Sequence, residues 1–98
     1  MIQRIVKLTF QPEDTAEFEE IFEQTKRRIR ASEGCLRLEL LRATADPNIY
    51  FTYSYWRSEA DLNAYRKSEL FGRTWKRTKA LFAAKPEAWS TESLETLE

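Results

Sequence analysis

The residues able to do chemistry in this chain are aromatic. Tyr53, Tyr55, Trp56, Tyr65, Phe71 and Trp75 fall between Ile49 and Trp75, a segment holding eight of the thirteen aromatic side chains. Histidine is absent and cysteine occurs once. Ser-His-Asp and Cys-His nucleophiles are therefore impossible, and a zinc or haem-iron site lacks its usual ligands. What is left is a pocket walled by aromatic rings for a small aromatic or apolar molecule. Tyr65 offers a hydroxyl, Trp75 and Phe71 offer wall, and Tyr53 and Tyr55 share the third strand. Trp56 closes that strand either as a lid or as a seal on the core. Arg37 and Glu39, two apart on one strand face, could anchor and deprotonate a substrate. Packing is the competing account: core packing for Tyr65 and Trp75, cross-strand packing for Tyr53 and Tyr55, and an interface ion pair for Arg37 with Glu39.

Composition narrows the partners. Sixteen basic and sixteen acidic residues cancel, so there is no electrostatic footprint for nucleic acid or for an anionic membrane. No apolar run reaches the length of a membrane span, and the opening residues read as a strand, not a signal peptide. A lone Cys35 cannot close an internal disulfide, which fits a reducing, cytoplasmic setting. With 98 residues, residues 1–98 are expected to form one domain with a thin core.

The elements that must position these side chains follow from periodicity. Residues 2–10 alternate, with Ile2, Val6, Leu8 and Phe10 on one face together with Arg4, and Ile5 on the other. Gln11-Pro12 breaks the strand, and Asp14 with Glu17 reads as a capping box. Phe18, Ile21, Phe22, Thr25 and Ile29 make a helical stripe, acidic at its start and basic at its end, as the helix dipole prefers. Gly34 is placed to stop this helix. Residues 35–43 alternate again, with Leu36, Leu38 and Leu40 expected on one face and Cys35, Arg37, Glu39 and Leu41 on the other. Ala45-Asp46-Pro47-Asn48 is a turn, and residues 49–56 form the hairpin partner. Ser58 with Asp61 opens a second helix, and Ser68 opens a third that carries Leu70, Phe71, Trp75, Thr78 and Phe82. Ala88 to Leu94 reads as a last strand.

Strand, helix, strand, strand, helix pair, strand is an α+β order, the ferredoxin-like split βαβ arrangement with an antiparallel sheet. It leaves one sheet face without helices, expected to include Ile5, Leu41 and Cys35. A second copy covering that face would give a homodimer with its sheets face to face, a dimeric α/β barrel.

The run Tyr53-Ser54-Tyr55-Trp56-Arg57-Ser58-Glu59-Ala60, followed by Leu62, Tyr65, Ser68, Leu70 and Phe71, resembles the antibiotic-biosynthesis monooxygenase family of the dimeric α/β barrel superfamily. Phe10-Gln11-Pro12-Glu13 and Glu33-Gly34-Cys35 extend the resemblance. It implies a monooxygenase without metal, flavin or other cofactor, acting on a small aromatic hydroxy compound or quinol. The substrate is deprotonated in an apolar cavity, and its anion reduces dioxygen directly. On this reading Tyr65 and Trp75 are the catalytic candidates, while Tyr53, Tyr55, Trp56, Arg37, Glu39 and Phe71 contact substrate. Where many such relatives carry histidines, this chain has Tyr65 and Leu70, so the base falls to Tyr65, Tyr53 or Glu39. Haem-degrading relatives use a first-strand Asn, a Trp and a His. Here the first strand has no Asn, and Tyr65 and Trp75 occupy the other two places, which removes the iron ligand. The alternative is a non-enzymatic dimeric module of the same fold, binding a small ligand or associated with stress.

Overall fold

The computed structural model describes residues 1–98. The chain runs β1 (Ile2–Thr9), a short 3₁₀ turn (Pro12–Asp14), α1 (Thr15–Arg30), β2 (Cys35–Arg42), β3 (Ile49–Trp56), α2 (Glu59–Arg66), α3 (Glu69–Lys79) and β4 (Glu87–Thr91). The four strands form one antiparallel sheet in the order β2-β3-β1-β4. This is the ferredoxin-like α+β fold expected from the element order.

Local chemistry explains most of the boundaries. Ser58 caps α2, its Oγ accepting from the Asp61 N–H at 3.2 Å. Ser68 caps α3 in the same way, accepting from the Phe71 N–H at 3.1 Å. Such caps satisfy donors that a helix start leaves orphaned. The expected Asp14 capping box does not form. Asp14 precedes α1 without a side-chain cap, because the 3₁₀ turn begun by Pro12 already leads into the helix. In the β2–β3 turn, the Asn48 N–H donates to Asp46 Oδ1 at 3.0 Å. The third helix ends at Lys79, earlier than its periodicity implies. Phe82 instead bridges to Phe10 beyond the helix. The last strand is Glu87–Thr91, not Ala88 to Leu94, and Leu94 is left exposed.

Alternation sorts the sheet into two faces. Ile2, Arg4, Val6 and Leu8 of β1 and Tyr50, Thr52, Ser54 and Trp56 of β3 look toward the helices, where most line a cavity or join the core. Residues directly opposite in the ladder share a face. The helix-free face therefore carries the rows Glu39–Tyr53–Ile5–Trp89 and Leu41–Phe51–Lys7–Glu87. Cys35 departs from the expected alternation. A β-bulge between Cys35 and Arg37 shifts the register by one residue. Cys35 turns under the helices against Trp56 and Leu62, and Leu36 is left exposed. A bulge has this effect because the extra residue inverts the alternation on one side of it.

Two buried clusters hold the layers together. One contains Leu8, Phe10, Phe18, Ile21, Tyr50 and Leu81; the other contains Cys35, Trp56 and Leu62. The second is clamped from outside. Arg57 bonds both Glu33 and Asp61 at 2.9 Å, and the Arg57 N–H donates to the Gly34 carbonyl at 2.8 Å. Hydrogen bonding to Arg57 holds the Asp61 carboxyl below its ordinary range.

Gly34 lies in the left-handed region, with φ 81°. A Cβ there would collide with the Asp61 side chain, whereas a Cβ on Gly72 in α3 would meet nothing. Gly34→Ala is expected to lower stability by about 2 kcal/mol or more, from left-handed strain plus displacement of Asp61. Gly72→Ala should raise it by up to about 1 kcal/mol. Denaturant midpoints of the two variants measure both.

Candidate functional site

The helix side of the sheet holds a cavity of about 110 Å³ lined by β1, β2, β3 and all three helices. Its walls are mostly apolar, from Val6 and Leu8 on the sheet to Phe18, Ile21 and Phe22 on α1. An apolar cavity of about 150 Å³ takes up benzene. This space, reaching the surface beside exposed Arg66, is somewhat smaller and is on the scale of a single ring at most. It is smaller than the roughly 300 Å³ at which sites for drug-sized ligands begin.

Four of the sequence-nominated residues meet here: Trp56, Tyr65, Phe71 and Trp75. Trp56 is fully buried, and its Nε1 donates to Ser54 Oγ at 2.9 Å. Its ring stacks on Tyr65 with centroids 4.9 Å apart. Tyr65 meets Phe71 edge-on at 5.3 Å, and Phe71 stacks on Trp75 at 5.9 Å. The rings follow the helical repeat: α2 brings Tyr65 over the end of β3, and α3 continues the wall at Phe71 and Trp75, four residues apart. Neither the Tyr65 hydroxyl nor Trp75 Nε1 has a hydrogen-bond partner in the protein, yet neither is a buried orphan, so both stay available as donors. Burial, with Cys35 adding to it, pushes the Tyr65 phenol up to about 12. At neutral pH it is a donor and not a base.

The other four nominated residues lie across the sheet. Arg37, Glu39, Tyr53 and Tyr55 belong to the helix-free face and do not reach the cavity. They contact one another. Arg37 pairs with Glu39 at 3.5 Å and lies 5.8 Å over the Tyr55 ring, and the Tyr55 hydroxyl bonds that of Tyr53 at 3.4 Å. The physical reason is that the helices cover the Tyr50–Trp56 face of β3. The face bearing Ile49, Phe51, Tyr53 and Tyr55 reads as richer in apolar groups, yet it is the one left bare.

Sequence reasoning did not nominate Arg4 or Arg66. Both line the cavity, and neither forms an ion pair. Arg4 on β1 is half-buried and donates from Nη1 to Ser90 Oγ of β4 at 3.0 Å. Burial, and then the nearby Arg66 guanidinium, lower its pKa from the usual arginine value. A signal existed: Arg4 is the one charge on an otherwise apolar strand face. The remaining polar lining consists of hydroxyls. Those of Thr25 and Thr78 are already donated to backbone carbonyls one helical turn back, at 2.8 Å each. No carboxylate lines the cavity.

The Tyr65 shift has a signed consequence. A phenol whose folded pKa exceeds its unfolded value stabilises the fold fully below about 10 and loses that contribution as pH climbs toward about 12. Unfolding of the native chain and of Tyr65→Phe, measured from pH 9 to 12, should diverge on the alkaline side. The native chain should lose about 2–3 kcal/mol more. Parallel curves would contradict the desolvation of this phenol by the residues around it.

The fold recurs in solved structures. An antibiotic biosynthesis monooxygenase aligns with a TM-score of 0.90 at 18% identity, over 97% of this chain and 100% of the other. A conserved protein from Methanosarcina mazei aligns at 0.88 and 19%, over 92% and 89%. Rv0793 from Mycobacterium tuberculosis aligns at 0.89 and 14%, over 99% and 98%. At such identities the likeness speaks for the fold alone. No match emerged among curated protein sequences. The sequence model for antibiotic biosynthesis monooxygenases matches residues 1–77, well over half of the chain. The protein belongs to the antibiotic biosynthesis monooxygenase family.

Proposed function

We propose that residues 1–98 act as one such domain, a cofactor-independent monooxygenase for a small, single-ring aromatic hydroxy compound or quinol bound between sheet and helices. The observation that carries this reading is the stacked wall of Trp56, Tyr65, Phe71 and Trp75 around a one-ring space with two unengaged donors. In the reaction a phenol and dioxygen become a quinone and water, and the substrate supplies all four electrons. The ring anion forms first and reduces dioxygen. One oxygen atom then joins the ring and the other leaves as water. Tyr65 and Trp75 donate hydrogen bonds to the anionic oxygens as charge moves, and the apolar wall excludes bulk water. Tyr53 and Glu39 take no part as bases, since they lie behind the sheet.

Oxygen uptake with a panel of monocyclic phenols and quinols tests this. Turnover is expected, with kcat/KM reduced about tenfold or more in Tyr65→Phe and Trp75→Ala. No uptake with any member of the panel would remove the enzymatic reading. One observation favours the alternative of a non-enzymatic binding module: no carboxylate or imidazole is present in the cavity to take the substrate proton. Ring binding without oxygen consumption would establish that alternative.

The same proposal includes a homodimer joined through the helix-free sheet face, in the reducing setting that the free, buried Cys35 suits. Support comes from exposed Leu41 and Trp89 beside partly exposed Ile5, Phe51, Tyr53 and Tyr55, an apolar patch that a small domain rarely leaves open. Arg37 and Glu39 then form the polar part of the contact. Light scattering at micromolar concentration should give twice the monomer mass, and Trp89→Glu with Leu41→Glu should return the monomer. A native monomer would exclude the dimer.

A further inference from the structure

The charges lining the cavity have one sign, and both reach solvent at its edge: Arg66 is exposed, and so is the hydrogen bond from Arg4 to Ser90. Arg4 rises from the middle of β1 among Ile2, Val6 and Leu8, and Arg66 comes down from the end of α2. Each other element lining the space contributes only apolar, hydroxyl or amide-free aromatic groups. The titratable groups around it are Arg4, Arg66 and Tyr65, with Cys35 behind Tyr65. Tyr65 and Cys35 are both kept neutral by burial. The other unpaired cations, such as Arg27, Arg28 and Lys76, are exposed on helix surfaces, whereas Arg4 is half-buried and lines a cavity. A half-buried guanidinium beside a second one, with no carboxylate paired to either, is a local excess of positive charge that a bound anion would balance.

We infer that Arg4, assisted by Arg66, is the anion-recognising group of this cavity, and that its ligand is a single aromatic ring bearing an anionic oxygen, bound as the phenolate or carboxylate. This rests on the cavity being a ligand site and deepens that reading. It also answers the missing base. A guanidinium lowers the pKa of a bound phenol, so the proton leaves to solvent and the enzyme holds the anion that results. The guanidinium fork suits this better than an ammonium, because it offers two parallel donors to one oxygen or carboxylate.

The test uses 4-nitrophenol, whose ionisation is visible by absorbance, with 4-nitroanisole as the neutral ring and 4-nitrobenzoate as the carboxylate. The phenolate is expected to bind about tenfold or more tighter than the anisole, with the bound phenol ionising about one pH unit lower than the free one. Arg4→Gln should abolish both effects, Arg4→Lys should restore part, and exposed Arg66→Gln should weaken anion binding a few-fold. The benzoate arm decides between the two anions: tighter binding than the phenolate assigns the site to aromatic acids, and weaker binding to phenols. Equal affinity for phenolate and anisole, or unchanged anion binding in Arg4→Gln, would overturn the inference. If Arg4→Gln does not fold, the Arg66→Gln affinity and the bound-phenol ionisation decide alone. Failure here and failure of the oxygenase reading are separable. A protein preferring the anion but consuming no oxygen loses only the oxygenase assignment. One that oxidises quinols while binding anisole and phenolate alike loses only the role of Arg4.

Discussion

The complete burial of Trp56 is the constraint on which the rest of the molecule depends. This residue ends β3 and stands two positions before the cap of α2, so it is where the sheet hands over to the helical layer. Its indole fixes four partners at once: Ser54 by hydrogen bond, Tyr65 by stacking, and Cys35 with Leu62 by packing. A ring of this size removed from water contributes a few kcal/mol. That is a large share of the stability of a chain with 98 residues. The outer clamp of Glu33, Arg57 and Asp61 is exposed and adds little energy of its own. Its contribution is geometric, since it holds the Gly34 turn against the start of α2. With Trp56 fixed, Tyr65 can face only one way, and the aromatic wall follows from helical spacing.

The two faces of the sheet then acquire different chemistry. On the helix side the cavity combines rings, uncommitted donors and positive charge, with no carboxylate to oppose it. On the other side the opposite charges of Arg37 and Glu39, and of Lys7 and Glu87, are already paired among apolar residues. A site with unbalanced charge attracts a charged ligand, whereas a surface with internally balanced charge tolerates being covered by protein. The division follows from strand alternation, which sends neighbours on β3 to opposite environments.

Most of the fold was legible in the sequence because period two, period 3.6 and the serine caps agree with one another. Ser58 and Ser68 start helices where the pattern places them, and β3 has the limits Ile49 and Trp56 that alternation gives. The misreadings have physical causes. Cys35 could not be placed because a bulge leaves no mark in a single sequence, and one inserted residue reverses every face before it. Tyr53 and Tyr55, which read as substrate contacts or as cross-strand packing, lie across the sheet from the cavity, and aromatic density does not say which sheet face the helices cover. Here that choice is made by the pairing of Trp56 with α2, a tertiary fact. Arg4 was visible as an anomaly on an apolar strand, but its meaning depends on Arg66, sixty-two positions away in sequence.

The three tryptophans report the two faces separately, because Trp56 and Trp75 line the cavity and Trp89 stands on the helix-free face. Titrating a monocyclic phenol while following their indole N–H resonances therefore locates the ligand directly. Saturable shifts at Trp75 and Trp56, with Trp89 unmoved, are expected. Movement of Trp89 alone, with the cavity pair silent, would contradict a ligand in the cavity.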